Sequence, residues 1–281
     1  MLPLLPSLSL SLALLAVEPA SLQAIAAPAG GAVGFAALDL ASGRTLALND
    51  QRPFPMQSVF KFPIAVEVLR QVDAGKLALD RVVALDKADA RAGVSTPIAV
   101  PGKATIGQLL EVMVVHSDNV SCDKLLALVG GPRAVDARMR ALGIDGIVIR
   151  FSELDMGAGK GDNTATPAAM VALLAKLARG QLGLSPAAAR LLDKLLLDVV
   201  TGPRRIKGGL PAGTPVAHKT GTARTHDGKT DATNDVGLVT LPSGKRIAVA
   251  VFVSASPADE ATRERTIADL ARAAYDRFGA K

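Results

Sequence analysis

Ser58 and Lys61 stand three residues apart in Ser58-Val59-Phe60-Lys61, at the start of an apolar segment. Residues i and i+3 share one face of a helix, so the Lys61 amine can lie against the Ser58 hydroxyl. A free serine is a poor nucleophile until a neighbouring base takes its proton. Lysine can be that base when burial or a nearby charge lowers its pKa. The pair therefore suits nucleophilic catalysis. A serine at the head of a helix can also be a simple N-cap, so the pair needs support from the rest of the chain.

Other chemistries find little. His116, His218 and His226 are scattered singly without zinc-ligand spacing, which speaks against a metal-dependent hydrolase and leaves no cofactor implied. Cys122 is the single cysteine, so the fold must hold by its core rather than by an internal disulfide. The formal net charge is +6, yet basic residues form no Lys/Arg-rich run and aromatics are 3% of the chain. That composition excludes nucleic-acid stacking surfaces and fits a basic surface mildly attractive to anionic substrates.

The elements that must position these residues follow from pattern. Met1 to about Ala27 reads as a secretory leader, with an apolar Leu8 to Val17 and small residues at Ala24-Ile25-Ala26-Ala27 near the cut. Its head lacks a basic residue, the first being Arg44. No apolar run in the body is long enough for a membrane anchor, so a secreted or periplasmic location is expected, with monomer as the default. Ala32 to Leu40 and Thr45 to Asn49 predict a hairpin. Pro53 and Pro55 precede the helix of Ser58 and Lys61, which runs to Gly75. Residues 80 to 105 read as connection. Helices follow over Thr105 to His116, from Asn119 to the stop at Gly130-Gly131-Pro132, over Ala134 to Ala141, from Pro167 to Ala178 and from Pro186 to Val200. Gly-rich residues 151 to 164 between them read as a long loop, of the kind often functional. Val216 to Thr222, Asp235 to Leu241 and Lys245 to Ser254 are strand-like, and Ala258 to Phe278 is an amphipathic helix. Strands at both ends with helices between imply an α/β fold with an antiparallel sheet flanked by helices. In that reading 1–27 is leader, 28–60 and 212–281 form a discontinuous α/β domain, and 61–211 is an inserted all-α domain.

Two more short motifs fall where the helical insert would meet the sheet: Ser117-Asp118-Asn119 between two helices, and Lys219-Thr220-Gly221-Thr222 on a strand. With Ser58-x-x-Lys61, in this order and at these separations, they resemble the serine β-lactamases of class A and the related penicillin-binding proteins. The resemblance runs from roughly Gly31 to Ala280. Thr166-Pro167-Ala168-Ala169-Met170 resembles the segment after the family's Ω loop. Thr201-Gly202-Pro203 and Leu210-Pro211-Ala212-Gly213-Thr214 resemble the approach to its Lys-Thr-Gly strand. Asn234-Asp235-Val236-Gly237 is similar to a subgroup that includes extended-spectrum cephalosporinases.

The resemblance implies hydrolysis of a β-lactam amide through an acyl-enzyme on Ser58. Lys61 would shuttle the proton, directly or with Glu153 through a water. Ser117 would pass a proton to the leaving nitrogen, and Asn119 would hold the substrate's side-chain amide. Lys219 and Thr220 would face its carboxylate. Backbone N–H groups of Ser58 and Thr222 would form the oxyanion hole, and Gly221 would let the strand come close. Arg205, with Arg204 as fallback, resembles an arginine that some class A enzymes aim at the carboxylate. Asp118 is expected to tie the loop backbone together, and His116 and Cys122 to pack.

Deacylation separates a lactamase from a D,D-peptidase, since a base must activate water. Glu153 is the one glutamate between Glu111 and Glu260. Read as Glu153-Leu154-Asp155-Met156-Gly157, it matches the family's Glu-x-x-Leu-Asn except at the end. A competing register leaves Phe151 at the catalytic position and removes the base. Departures are visible too. Gly157 replaces the Asn that helps to hold the water. Asp123 replaces a bracing Asn and is expected to repel Glu153. Phe151 and Asn163 fall where an Arg–Asp clamp closes the loop neck, which suggests a differently folded or looser loop open to bulky cephalosporins. A penicillin-binding peptidase, a non-turnover sensor domain and a serine–lysine glutaminase or esterase are the rival readings.

Overall fold

The computed structural model describes residues 19–90 and 96–279. The apolar Leu8 to Val17 of the expected leader lies outside them, as does Ala280.

Helix α1 (Pro19–Ala26) opens the described chain and leads into strands β1 (Ala32–Asp39) and β2 (Thr45–Leu48). A short strand β3 (Phe54–Pro55) and a 3-10 turn over Gln57–Phe60 then deliver the chain to α2 (Lys61–Asp73). Beyond it come β4 (Val82–Leu85), β5 (Gly102–Thr105), α3 (Ile106–Val115), α4 (Asn119–Leu128) and α5 (Pro132–Ala141). The stretch before the second half of the sheet holds β6 (Ile147–Val148), α6 (Glu153–Gly157), β7 (Thr164–Ala165), α7 (Pro167–Ala178) and α8 (Pro186–Leu197). The chain closes with β8 (Val216–Thr222), β9 (Thr225–His226), β10 (Lys229–Thr230), β11 (Thr233–Thr240), β12 (Arg246–Ser254) and α9 (Glu260–Gly279).

The main sheet has the order β2-β1-β12-β11-β8, every pair antiparallel, so it draws on both ends of the chain. Strand β12 is apolar almost throughout because both its faces are covered. Ala248, Ala250 and Phe252 join the core shared with the central helices, whereas Ile247, Val249, Val251 and Val253 join the core under α1 and α9. This period-two split places a helical layer on each side of one sheet. Burial of each such Val, Ile or Phe contributes about 1.5–3 kcal/mol.

Helix α2 runs through the first core with Phe62, Ile64, Ala65, Val66, Val68 and Leu69 all fully buried. That broad apolar surface fixes the direction in which Lys61 emerges. Against the α9 side, Leu22, Ala26 and Ala29 are buried in the second core. The fold therefore includes residues ahead of the expected boundary at 27, because a cut there would strip Leu22 from its pocket. The segment expected to be all-α also carries strands: β4 pairs with β5, and β6 and β7 line up with β3. The connection expected over 80–105 is in part this β4–β5 hairpin.

Candidate active site

Ser58 lies not on the first turn of α2 but in the 3-10 turn that leads into it, with the Lys61 amide donating to the Ser58 and Val59 carbonyls. The turn is gripped from three sides. Met56 N–H donates to the Asn163 carbonyl at 2.8 Å, and Asn234 Nδ2 donates to the carbonyls of Pro55 and Met56 at 2.8 and 3.1 Å. From the sheet edge, Gly221 comes so close that a Cβ there would sit 2.3 Å from the Met56 carbonyl oxygen. Only glycine fits that approach, and it brings Thr222 and Ser58 to the two sides of one cleft.

Lys61 is fully buried and its amine is the hub. Nζ stands 2.8 Å from Ser58 Oγ, 2.8 Å from the Ser117 carbonyl, 2.6 Å from Asn119 Oδ1 and 3.5 Å from Ser117 Oγ. It also makes an ion pair with Glu153 Oε1 at 2.8 Å, although that contact lacks hydrogen-bond alignment. Ser117 reaches Lys61 through a backbone with φ of +62°, a left-handed turn between α3 and α4 rarely used by non-glycine residues. The turn is held by Asp118, whose Oδ1 accepts from the Ser121 amide at 2.6 Å and whose own N–H donates to the Val112 carbonyl. Asp118 thus ties the loop, as expected.

Across the cleft Lys219 is also fully buried, donating to Ser117 Oγ at 2.9 Å and to the Thr220 carbonyl at 3.0 Å. Burial pushes its ammonium well below the ordinary lysine range, and the Lys61 charge pushes the same way; Asp235 and Glu153 oppose both. Ser117 Oγ stands between the two lysines, so a hydroxyl proton can be exchanged along one line from Lys219 to Lys61 and Ser58.

The structure brings Glu153 to Lys61 and so adopts the register that keeps the base in the cleft. Glu153 opens α6, whose N-cap Ser152 forms a capping box with Asp155. Ser152-x-x-Asp155 was the available signal for a helical turn in a stretch otherwise read as loop. Lys160 and Ser152 hold the Asp155 carboxyl down at about 2.

Asp123 corrects the expectation of repulsion. Its carboxylate turns to the backbone, accepting from the Glu153 and Leu154 amides at 2.7 and 3.0 Å. The loop neck is not loose either. Buried Asn163 accepts from the Arg150 and Phe151 amides at 2.8 and 3.0 Å and donates to the Phe151 carbonyl at 2.9 Å. Gln57 adds a bond across to Asp162 Oδ1 at 3.1 Å. A Cβ at Gly157 would meet nothing within 4 Å, so the missing side chain leaves the cleft wall open there.

Arg205 is not among the residues lining the cleft of Ser58 and Glu153, but borders a neighbouring hollow together with Thr220 and Thr222. It is buried, with Nε on Glu264, Nη1 on the Gly221 and Asn234 carbonyls, and Nη2 on Thr222 Oγ1 at 2.8 Å. Its guanidinium braces the strand from behind. Arg204 is exposed and paired with Glu264 at 2.6 Å. Thr220 shares its hydroxyl with Thr201 at 2.5 Å. His116 is exposed at the end of α3 rather than packed, while Cys122 is buried in α4 and its thiol is pushed well up by that burial. The cleft has a volume of about 820 Å³, and Ser58, Asn119, Glu153, Leu154 and Thr222 are among its lining residues.

The model of the β-lactamase enzyme family matches residues 19–278. The extended-spectrum β-lactamase PER-1 of Pseudomonas aeruginosa is 42% identical over 82% of this chain and 77% of its own length. The β-lactamase VEB-1, also of Pseudomonas aeruginosa, is 37% identical over 88% of this chain and 85% of its own. Among solved structures, a β-lactamase from Chitinophaga pinensis superposes with a TM-score of 0.89 at 41% identity, covering 92% of this chain and 97% of that one. The TLA-3 extended-spectrum β-lactamase gives 0.90 at 33% identity, with 93% and 98% covered. With its serine, two lysines and glutamate gathered on one cleft and these relatives spanning its described length, the chain belongs to the β-lactamase family, in the serine-dependent class A.

Proposed function

We propose that the cleft hydrolyses penicillins and cephalosporins with Ser58 as nucleophile, Lys61 as proton carrier and Glu153 as the base of deacylation. One observation carries this reading: Lys61 Nζ lies 2.8 Å from Ser58 Oγ and 2.8 Å from Glu153 Oε1. A single amine therefore connects the nucleophile to the carboxylate beside it, placed to activate water.

The steps balance as follows. A proton passes from Lys61 to Glu153, and the neutral amine takes the Ser58 proton as Oγ attacks the lactam carbonyl. The oxyanion accepts from the N–H groups of Ser58 and Thr222. As the C–N bond breaks, the nitrogen takes the Ser117 hydroxyl proton, which Lys61 replaces. Glu153 returns its proton to Lys61 across their 2.8 Å contact and, ionised again, removes a proton from water as the hydroxide attacks the ester; Ser58 Oγ then leaves with a proton from Lys61, which Glu153 replenishes. Asn119 holds the acyl side chain, while Lys219, Thr220 and Gly221 receive the substrate carboxylate; Arg205 supports them through Thr222.

The extended-spectrum relatives and the open wall at Gly157 favour bulky cephalosporins among the substrates. Among the described residues no helix is long and apolar enough to cross a membrane. We place the protein outside the cytoplasm as a monomer, with its leader removed ahead of Pro19 so that Leu22 stays in the core.

Nitrocefin turnover tests the reading, with product release by wild type, none by Ser58→Ala, and a trapped acyl-enzyme in the mass spectrum of Glu153→Gln. A single stoichiometric burst from wild type would instead mark a penicillin-binding protein or sensor.

A further inference from the structure

Directly behind Lys219 lies an ionisable pair that the steps above do not use. His218 and Asp235 are both completely buried, with His218 Nδ1 2.9 Å from Asp235 Oδ1 and 3.1 Å from Oδ2. They sit on neighbouring strands, where Gly237 is the residue opposite His218. A Cβ at Gly237 would fall 2.7 Å from the His218 Cβ, so glycine there makes room beside the histidine. Buried ionisable groups are costly unless paired, and here the pair has a third member. Asp235 Oδ2 also accepts from the Ile206 amide at 3.1 Å.

Ile206 opens the 3-10 turn Ile206–Gly209, and Arg205 is its N-cap residue. The carboxylate thus fixes the backbone next to Arg205, and Arg205 in turn holds the Gly221 carbonyl and the Thr222 hydroxyl. We propose that Asp235 is a positioning residue for substrate binding: it anchors the 205–209 turn so that Arg205 keeps Gly221 and Thr222 in register at the cleft. The inference rests on the reading that Lys219, Thr220 and Gly221 receive the substrate carboxylate beside Thr222 of the oxyanion hole.

The same carboxylate acts through charge. Lys219 faces Lys61 from α2, Cys122 from α4, Glu153 from α6 and Asp235 from β11. Burial and Lys61 drive its ammonium toward neutrality, and Asp235 opposes them from the rear of the strand. Lys207 on the 205–209 turn also feels Asp235. Removing the negative charge should let Lys219 deprotonate at lower pH.

Steady-state nitrocefin kinetics across about pH 5–10 on the full chain test this, with Asp235→Asn, His218→Gln and Lys219→Ala. Asparagine keeps one acceptor and turns a donor toward the other partner. Asp235→Asn should therefore raise KM about tenfold, lower kcat less, and shift the basic limb of kcat/KM to lower pH. Glutamine at 218 restores a neutral donor to Asp235, so His218→Gln should keep both KM and the limb within about threefold of wild type. Wild-type KM and an unmoved limb in Asp235→Asn would overturn the proposal. So would a limb shift in His218→Gln as large as in Asp235→Asn. Should Asp235→Asn not fold, His218→Leu decides, since it removes a donor and leaves the charge: KM must rise while the limb stays, and an unchanged KM overturns the proposal. If Lys219→Ala binds substrate as wild type does, the reading of the carboxylate site has failed instead.

Discussion

Asp123 offers the sharpest discrimination between two accounts of how Glu153 is held. By residue type alone, a second carboxylate near Glu153 should repel it. By geometry, Asp123 is a brace, taking the Glu153 and Leu154 amides at 2.7 and 3.0 Å and so fixing the first turn of α6 to α4. The substitution that separates them is Asp123→Asn, which keeps the shape and removes the charge. An asparagine can accept one of the two amides, and its own NH2 then confronts the other.

Hydrogen bonds to charged groups contribute about 1.5–3 kcal/mol. Leu154 is exposed, so the lower end applies, and a loss of about 1.5 kcal/mol corresponds to roughly a tenfold change in the population of the closed loop. Acylation is carried by Ser58 and Lys61, which α6 does not hold, and draws on Glu153 only as the acceptor of the Lys61 proton, whereas deacylation also needs Glu153 to hold and orient a water. The assay is stopped-flow nitrocefin hydrolysis with mass spectrometry of the quenched enzyme. The burst should survive at nearly the wild-type rate, deacylation should slow about tenfold, and the acyl-enzyme should accumulate. Hydrogen exchange at the Glu153 and Leu154 amides should accelerate by a similar factor. Deacylation as fast as wild type or faster, with unaltered amide protection, would refute the brace and restore the repulsion.

Three further outcomes follow from the geometry. Burial and the Lys61 charge depress the Lys219 ammonium, which is lost as pH rises through that depressed value; the basic limb of wild-type kcat/KM should therefore lie well below 10.5, and a limb at 10.5 would show Lys219 unimportant for binding. Gly221→Ala would put a methyl 2.3 Å from the Met56 carbonyl and drive the serine turn off the strand, so kcat/KM should fall by about a hundredfold or more, measured beside Tm. Glu67 joins α2 to α5 through Arg138; burial alone would raise its carboxyl, but the hydrogen bonds from Arg70 and Gln71 outweigh this and lower it. That contribution to stability is present above the ordinary value of 4.5 and lost as pH falls below it, so Glu67→Gln should melt about 3–6 °C lower at neutral pH and converge with wild type in acid.

Much of this was legible because it rests on local rules. The unbroken apolar run from Ile247 to Val253 suits a strand buried on both faces, and proline at the head of α7 and α8 marks their starts. The order of the motifs at Ser58, Ser117 and Lys219 pointed, through the family resemblance, to residues that the fold does bring together around the Lys61 amine. What escaped depends on partners far away in the chain. Val82–Leu85 is too short a strand to announce itself without Gly102–Thr105 beside it. The resemblance singled out Arg205, but nothing local in the sequence shows that Glu264, Gly221, Asn234 and Thr222 converge on its guanidinium. His218 was one of three scattered histidines until β11 placed Asp235 against its ring.

The departures around the Ω loop are intelligible only together. With Phe151 in place of an arginine at the neck, an acidic partner would have been a buried charge without a mate, a costly arrangement. Asn163 avoids this, because one amide both donates and accepts, and it satisfies two backbone N–H groups and a carbonyl at a fully buried point. Phe151 needs space as well, and it is found at Gly161, where a Cβ would lie 2.7 Å from the ring and φ is +143°. Asp123 then needs no role toward the glutamate side chain, since the free amides at the head of α6 are its partners. Each replacement makes sense of the next: the buried centre of the neck is closed by the Asn163 amide and backbone groups, with Gln57 reaching Asp162 at its exposed side.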